Sequence, residues 1–207
     1  MCNLALSHIS QAADVTSIRP PDGTIAADKC FQFFDQARDE LLEMHAWKFA
    51  TARRALVEVT NPVQHWAFAY QLPTDSIRPL AVLLTDSSDD ERGYPFAVET
   101  NGGVMLLYTN VENAVLKYIW RVTNPGNWSP LFTTAMSWLL AHYIAGPITK
   151  KPAVVKMAFD TFISMFKLAS GADGAGQNVN AYKNHMPDHM RARGVGFTVP
   201  DARILRG

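Results

Sequence analysis

The chain has 207 residues, of which 48% are hydrophobic and 11% aromatic, enough for one substantial core or two small ones and too apolar for a disordered chain. Lys plus Arg and Asp plus Glu number 19 each, so the net charge is zero, which argues against a general nucleic-acid coat with its basic excess. Two cysteines, Cys2 and Cys30, are too few for a disulfide framework.

The opening MCNLALSHIS lacks the basic segment and apolar run of a secretion signal and predicts a protein kept in the cytosol until assembly. No apolar run reaches the ~18 residues of a membrane-spanning helix. Residues 3–12 predict a short helix with Leu4, Leu6 and Ile9 on its apolar side, and residues 14–24, with Pro20, Pro21 and Gly23, a loop. A long helix follows. Its apolar residues recur at Cys30, Phe33/Phe34, Ala37, Leu41 and Met44, the three-then-four spacing of one buried face. Cys30 on that face reads as a small core residue. The helix leaves through His45-Ala46-Trp47-Lys48-Phe49-Ala50 towards Arg53 and Arg54.

Strands are predicted at 54–60, 65–72 and 77–84, with Pro79 disfavouring a central place for the third. Residues 87–93 hold Asp89, Asp90 and Glu91; without calcium-loop spacing they read as a solvated turn. Residues 94–109 read as a hairpin about Asn101-Gly102-Gly103, and 114–122 as the last strand. Asn124-Pro125-Gly126-Asn127 breaks the chain. Ser129 then serves as N-cap and Pro130 as first helical residue, with Leu131, Ala135, Trp138/Leu139 and His142 on one side and Gly146-Pro147 as the stop. A further helix starts near Lys151-Pro152. Its apolar face is Val155, Ala158/Phe159, Phe162, Met165/Phe166 and Ala169, Gly171 is its end, and the glycine-rich run 171–176 is a hinge.

The expected fold is α+β and mainly α: a bundle of about four helices with an inserted small antiparallel β region and an extended C-terminal arm. The bundle takes residues 1–53 and 123–170, the β-rich insertion 54–122 and the arm 171–207. From Lys183 to Gly207 there are five Lys/Arg against two Asp/Glu. This tail buries too little apolar area to fold alone, yet carries Tyr182, Met186, Met190, Phe197, Val199, Ile204 and Leu205 as anchors, with Arg191 and Arg193 among them. It is expected to be ordered by a partner chain.

The sequence holds no H-E-x-x-H, no paired C-x-x-C, no G-x-S-x-G and no phosphate loop. His185 and His189 stand four apart but flank Pro187 and have no third ligand nearby, so neither metal nor cofactor is expected. His45 and His142 read as hydrogen-bonded structural residues. Trp47, Phe49, Trp66, Phe68 and Tyr70 read as core rather than as a base-stacking platform.

The order and spacing of these features resemble the tail tubular protein A, or head–tail adaptor, family of short-tailed bacteriophages. The resemblance rests on a short opening helix, a Pro/Gly loop and a long helix with Ala37-Arg38 in its middle. It continues through the Trp47-x-Phe49-Ala50 exit, the strand Ala69-Tyr70-x-Leu72-Pro73 and a hairpin region. Last come Trp128-x-Pro130-x-Phe132-x-x-Ala135, Leu139-Leu140-Ala141 and Pro147-Ile148-Thr149. It covers about residues 3–170.

The resemblance implies a non-enzymatic structural virion protein, made in the host cytoplasm and placed at the portal vertex of the tail. A ring of about twelve copies would join the portal protein to the tail nozzle protein, with an outer surface for tail fibres. Double-stranded DNA would pass through the channel during ejection without sequence-specific binding, and no membrane is implied. The nine arm residues from Tyr182 to Leu205 named above are the expected portal contacts. The alternative is a virion-associated polysaccharide hydrolase, in which Asp75 with Asp89 or Glu91 would form the acid–base pair.

Overall fold

The computed structural model describes residues 1–63, 65–85 and 93–175. Met1–Asp173 packs as one compact unit, and Gly174–Gly207 forms a second, of which only Gly174 and Ala175 are described.

Helix α1 spans Cys2–His8, shorter than its apolar residues predict, because Ile9 leaves helical geometry and Ser10 takes a left-handed φ of 56°. Helix α2 spans Ile25–Met44. The Thr24 hydroxyl accepts from Ala27 N at 3.1 Å and satisfies one of the free amides at its start. Its buried face comprises Ala27, Cys30, Phe34, Ala37, Arg38, Leu41 and Leu42. A 3-10 turn, Lys48–Ala50, leads into the strands.

Seven strands follow: β1 Thr51–Ala55, β2 Val57–Val59, β3 Phe68–Gln71, β4 Ser76–Leu83, β5 Phe96–Asn101, β6 Val104–Thr109 and β7 Val115–Trp120. They form two antiparallel sheets, ordered β1-β7-β4 and β2-β3-β6-β5. The β5–β6 turn places positive φ on Gly102 (58°) and Gly103 (82°), as a two-residue hairpin requires. Pro79, which lacks an N–H, sits on edge strand β4 beside a register shift at Pro79/Ala81.

Helix α3 spans Pro130–Thr149 and α4 Pro152–Ala175. Ser129 caps α3 through Phe132 N at 3.2 Å. Gly146-Pro147 does not stop α3: Pro147 falls in the last turn, and the helix ends at left-handed Lys150, whose N–H donates to Gly146 O. Nor is α3 buried along a single stripe, since Phe132, Met136, Ser137, Leu140, Ala141 and Ile144 are buried on several sides.

The main core joins α1–α4 with Ile119 and Val122. A second core lies between the sheets, with Tyr70 and Leu107 from one meeting Val82, Leu116 and Tyr118 from the other. Strand β7 therefore serves both cores: Leu116 and Tyr118 face the second sheet, and Ile119 faces the helices. The outer face of the larger sheet packs Ala69, Leu106 and Tyr108 against Val59, Val63 and Trp66.

This architecture corrects the expected fold class. Among the described residues 46% are helical and 25% lie in strands, in two antiparallel sheets with seven strands beside four helices. The β part is thus substantial, not a small insertion in a mainly α bundle. The cause is pairing between distant segments: Thr51↔Ile119 in one sheet and Phe68↔Thr109 in the other. The single strand predicted at 54–60 is divided at Leu56, whose N–H donates to Ala114 O at 2.9 Å, so β1 and β2 serve different sheets.

Candidate interaction surfaces

Part of the set that carries the family resemblance meets at the junction of helices and sheet, while Tyr70 and Leu72 lie in the second core and Ala69 on the outer face of the larger sheet. The Phe132 ring meets Trp47, Phe49 and Trp128 with centroids 5.1, 4.9 and 5.2 Å apart. Trp47, Ala50, Tyr70, Phe132 and Ala135 are all at most 1% exposed. Each buried indole keeps a hydrogen bond: Trp47 Nε1 donates to Leu41 O at 2.7 Å and Trp128 Nε1 to Val122 O at 3.1 Å. Trp47 and Tyr70 are core, as their spacing predicts, whereas Phe49, Trp66 and Phe68 are only partly buried.

A charged network crosses α2. Arg38, 4% exposed, donates to Asp35 and to Asp39 at 2.8 Å each. Arg19 pairs with Asp35 at 2.5 Å, and Arg121 Nε donates to Asp39 at 2.9 Å. The network ties the proline loop and the end of β7 to α2 and leaves no lone buried charge at Arg38. Partial burial raises the Asp35 pKa, but the Arg19 hydrogen bond and the charges of Arg38 and Arg19 outweigh it, so the carboxyl lies below its ordinary value. Beside the network Tyr143 OH donates to the Glu40 carboxylate. Burial and then that carboxylate push the Tyr143 phenol up to about 12.

His8, His45 and His142 have structural partners. His8 stacks on Trp138 with centroids 3.8 Å apart. Its Nε2 donates to Ser137 Oγ at 3.0 Å, because that hydroxyl gives its own proton to Thr134 O at 2.7 Å. Burial lowers the His8 pKa. His45 Nε2 lies 3.3 Å from Asp173, which also accepts from Lys48 N, and His142 Nδ1 donates to Val155 O at 3.2 Å. Cys30 is buried in the main core, and Cys2 lies in the same cluster.

Asp75, half of the expected hydrolase pair, is held by Arg54 at 3.5 Å and Tyr118 OH at 3.3 Å. Asp89 and Glu91 lie outside the described residues. So do His185, His189 and every expected portal contact: Tyr182, Met186, Met190, Arg191, Arg193, Phe197, Val199, Ile204 and Leu205. The hinge expected at 171–176 is in part helix, since α4 continues through Gly171 and Gly174 to Ala175. Among the described residues no group of three His, Cys, Asp or Glu could hold a metal ion, and no helix is long and apolar enough to cross a membrane.

Apolar side chains stand exposed on all four helices: Ile25, Phe31 and Met44 on α2, Met157, Phe159 and Leu168 on α4, and Leu4 on α1 and Leu131 on α3, both expected on buried sides. At the α3–α4 junction an open groove of about 520 Å³ is lined by His142, Val155 and Phe159 with Lys150, Lys151 and Lys156. Sequence reasoning missed this groove. Its signal was Lys150-Lys151-Pro152 followed by Lys156, which read only as a helix start.

The fold and its surfaces define an α+β protein in which two antiparallel sheets pack on a helical layer through shared strand β7. No family model matches the chain, and no curated protein is significantly similar to it.

Proposed function

We propose that the chain is a structural head–tail adaptor of a short-tailed bacteriophage. Copies of it would form a ring between portal protein and tail nozzle protein, continue the DNA channel and offer an outer face to tail fibres. The observation that carries this reading is the convergence of the resemblance: Trp47, Phe49, Trp128 and Phe132, separated by more than seventy residues at the extremes, form one aromatic junction. These four positions of the pattern form one packed cluster, which supports treating them as a fold signature rather than a coincidence of spacing. Exposed Ile25, Phe31 and Leu168 on two helices suit a subunit that meets other chains.

The test is light scattering of the purified chain alone and after mixing with portal rings, with a second protein ending at Ala175. Formation of a stoichiometric ring on portal by the full chain, and its loss in the shortened one, supports both the adaptor reading and the arm as portal contact. Ring formation by both proteins moves the portal contact out of the arm. A full chain that ignores portal and releases reducing sugar from capsular polysaccharide overturns the adaptor reading in favour of the hydrolase.

A further inference from the structure

The groove at the α3–α4 junction combines a basic rim with an apolar floor. Lys150, Lys151 and Lys156 are exposed on the rim. Among the described residues none of their ammonium groups pairs with a carboxylate. Helix α3 has no acidic residue, and the first along α4 is Asp160. The rim is therefore a local positive field on a chain whose net charge is zero.

The floor is built by Val155 and Phe159, with Phe159 42% exposed. Gly146 also lines the groove beside Val155. His142 commits Nδ1 to Val155 O, which leaves Nε2 as the ring nitrogen for an occupant.

A small molecule would leave much of its surface wet in so open a trough, where small-ligand sites enclose most of the ligand. A nucleic-acid strand needs cations spaced along its backbone and a run of stacking faces for its bases; here three lysines border a floor of one valine and one phenylalanine, and Phe159 offers a single exposed ring. We infer that the groove docks an acidic peptide segment of a partner protein, with carboxylates on Lys150, Lys151 and Lys156 and an apolar side chain on Val155 and Phe159. This goes beyond the adaptor reading and does not depend on it.

The test is fluorescence anisotropy on the full chain, with a labelled peptide of alternating glutamates around one Leu and one Phe. Control probes carry Lys for Glu, or Ser for Leu and Phe, and an oligo-dT strand tests nucleic acid. The acidic–apolar peptide is expected to bind, and to weaken by about tenfold or more in the K150E/K151E/K156E variant. The Ser-substituted peptide and the F159S variant are expected to weaken it by about threefold or more. The lysine variant should keep its circular dichroism spectrum, since all three positions are exposed, with Tm lowered by no more than a few degrees through the charges reversed at the end of α3. Equal affinity for wild type and the lysine variant overturns the proposal, as does equal affinity for the peptide without apolar residues. No binding of the acidic peptide at millimolar concentration also overturns it, and oligo-dT binding through the same lysines in its place assigns the groove to nucleic acid.

Discussion

Trp47 Nε1 donates to the carbonyl of Leu41, six residues back, at 2.7 Å. That carbonyl belongs to the last turn of α2, so the indole both ties down the helix end and fills the junction with Phe132. Trp47→Ala is expected to cost about 3–5 kcal/mol through the cavity it leaves. Trp47→Phe, which keeps most of the ring volume but removes the bond to the Leu41 carbonyl, should cost about 1 kcal/mol. Urea unfolding measures both; a phenylalanine variant as stable as wild type would show that the bond contributes nothing.

The Arg19–Asp35–Arg38 contacts make stability depend on pH in a defined direction. The folded Asp35 carboxyl lies below its ordinary value. Its contribution is therefore fully present above the unfolded carboxylate pKa of ~3.9 and is lost as pH falls through the folded value. Asp35 is half exposed, so solvent screens the effect. The Tm difference between wild type and Asp35→Asn should be greatest near neutrality and shrink in acid. A difference that is flat from neutral to strongly acidic pH would remove Asp35 from the acid response.

What could be read from the chain was what local chemistry decides. On α2 the buried positions Cys30, Phe34, Ala37 and Leu41 follow from the three-then-four spacing, while Met44, expected on that face, is 42% exposed; the start of α3 follows from Ser129 and Pro130, and the β5–β6 turn from Gly102 and Gly103. What could not be read was pairing. Nothing near residues 51–55 announces that they join 115–119, and the division at Leu56 leaves no local mark. Helix α3 lost its one-sided pattern because it is buried on several sides. The lysine groove escaped notice because lysines at the end of one helix also suit that helix's dipole; their second property, a place around Val155 and Phe159, exists only after α4 folds back.

Tyr143 should be the latest of the described tyrosines to ionise. Burial and the Glu40 carboxylate hold its phenol near 12, while Tyr70 and Tyr118 are raised too, burial first in both. The folded value exceeds the unfolded one of ~10, so the stabilisation is complete below ~10 and lost as pH climbs through the folded value. Ultraviolet difference titration should show a late step that vanishes in Tyr143→Phe. The same variant should lose about 1 kcal/mol at neutral pH with the hydrogen bond to Glu40. If the late step survives, it belongs to another tyrosine and Glu40 does not hold this phenol.

Gly171 separates a helix from a hinge. Glycine within a helix costs about 0.5–1 kcal/mol relative to alanine, because the unfolded chain has more freedom to lose. At Gly171 a Cβ would meet nothing within 4 Å, and α4 continues to Ala175. Asp173, one turn end beyond, accepts from Lys48 N and lies 3.3 Å from His45 Nε2, which anchors that last stretch to the exit of α2. Gly171→Ala should therefore stabilise the protein by about 0.5–1 kcal/mol, and adding Asp173→Ala should remove a comparable amount by freeing the helix end. A hinge at this point would give the opposite result: alanine would stiffen a segment that needs to bend, and thermal unfolding would show no gain.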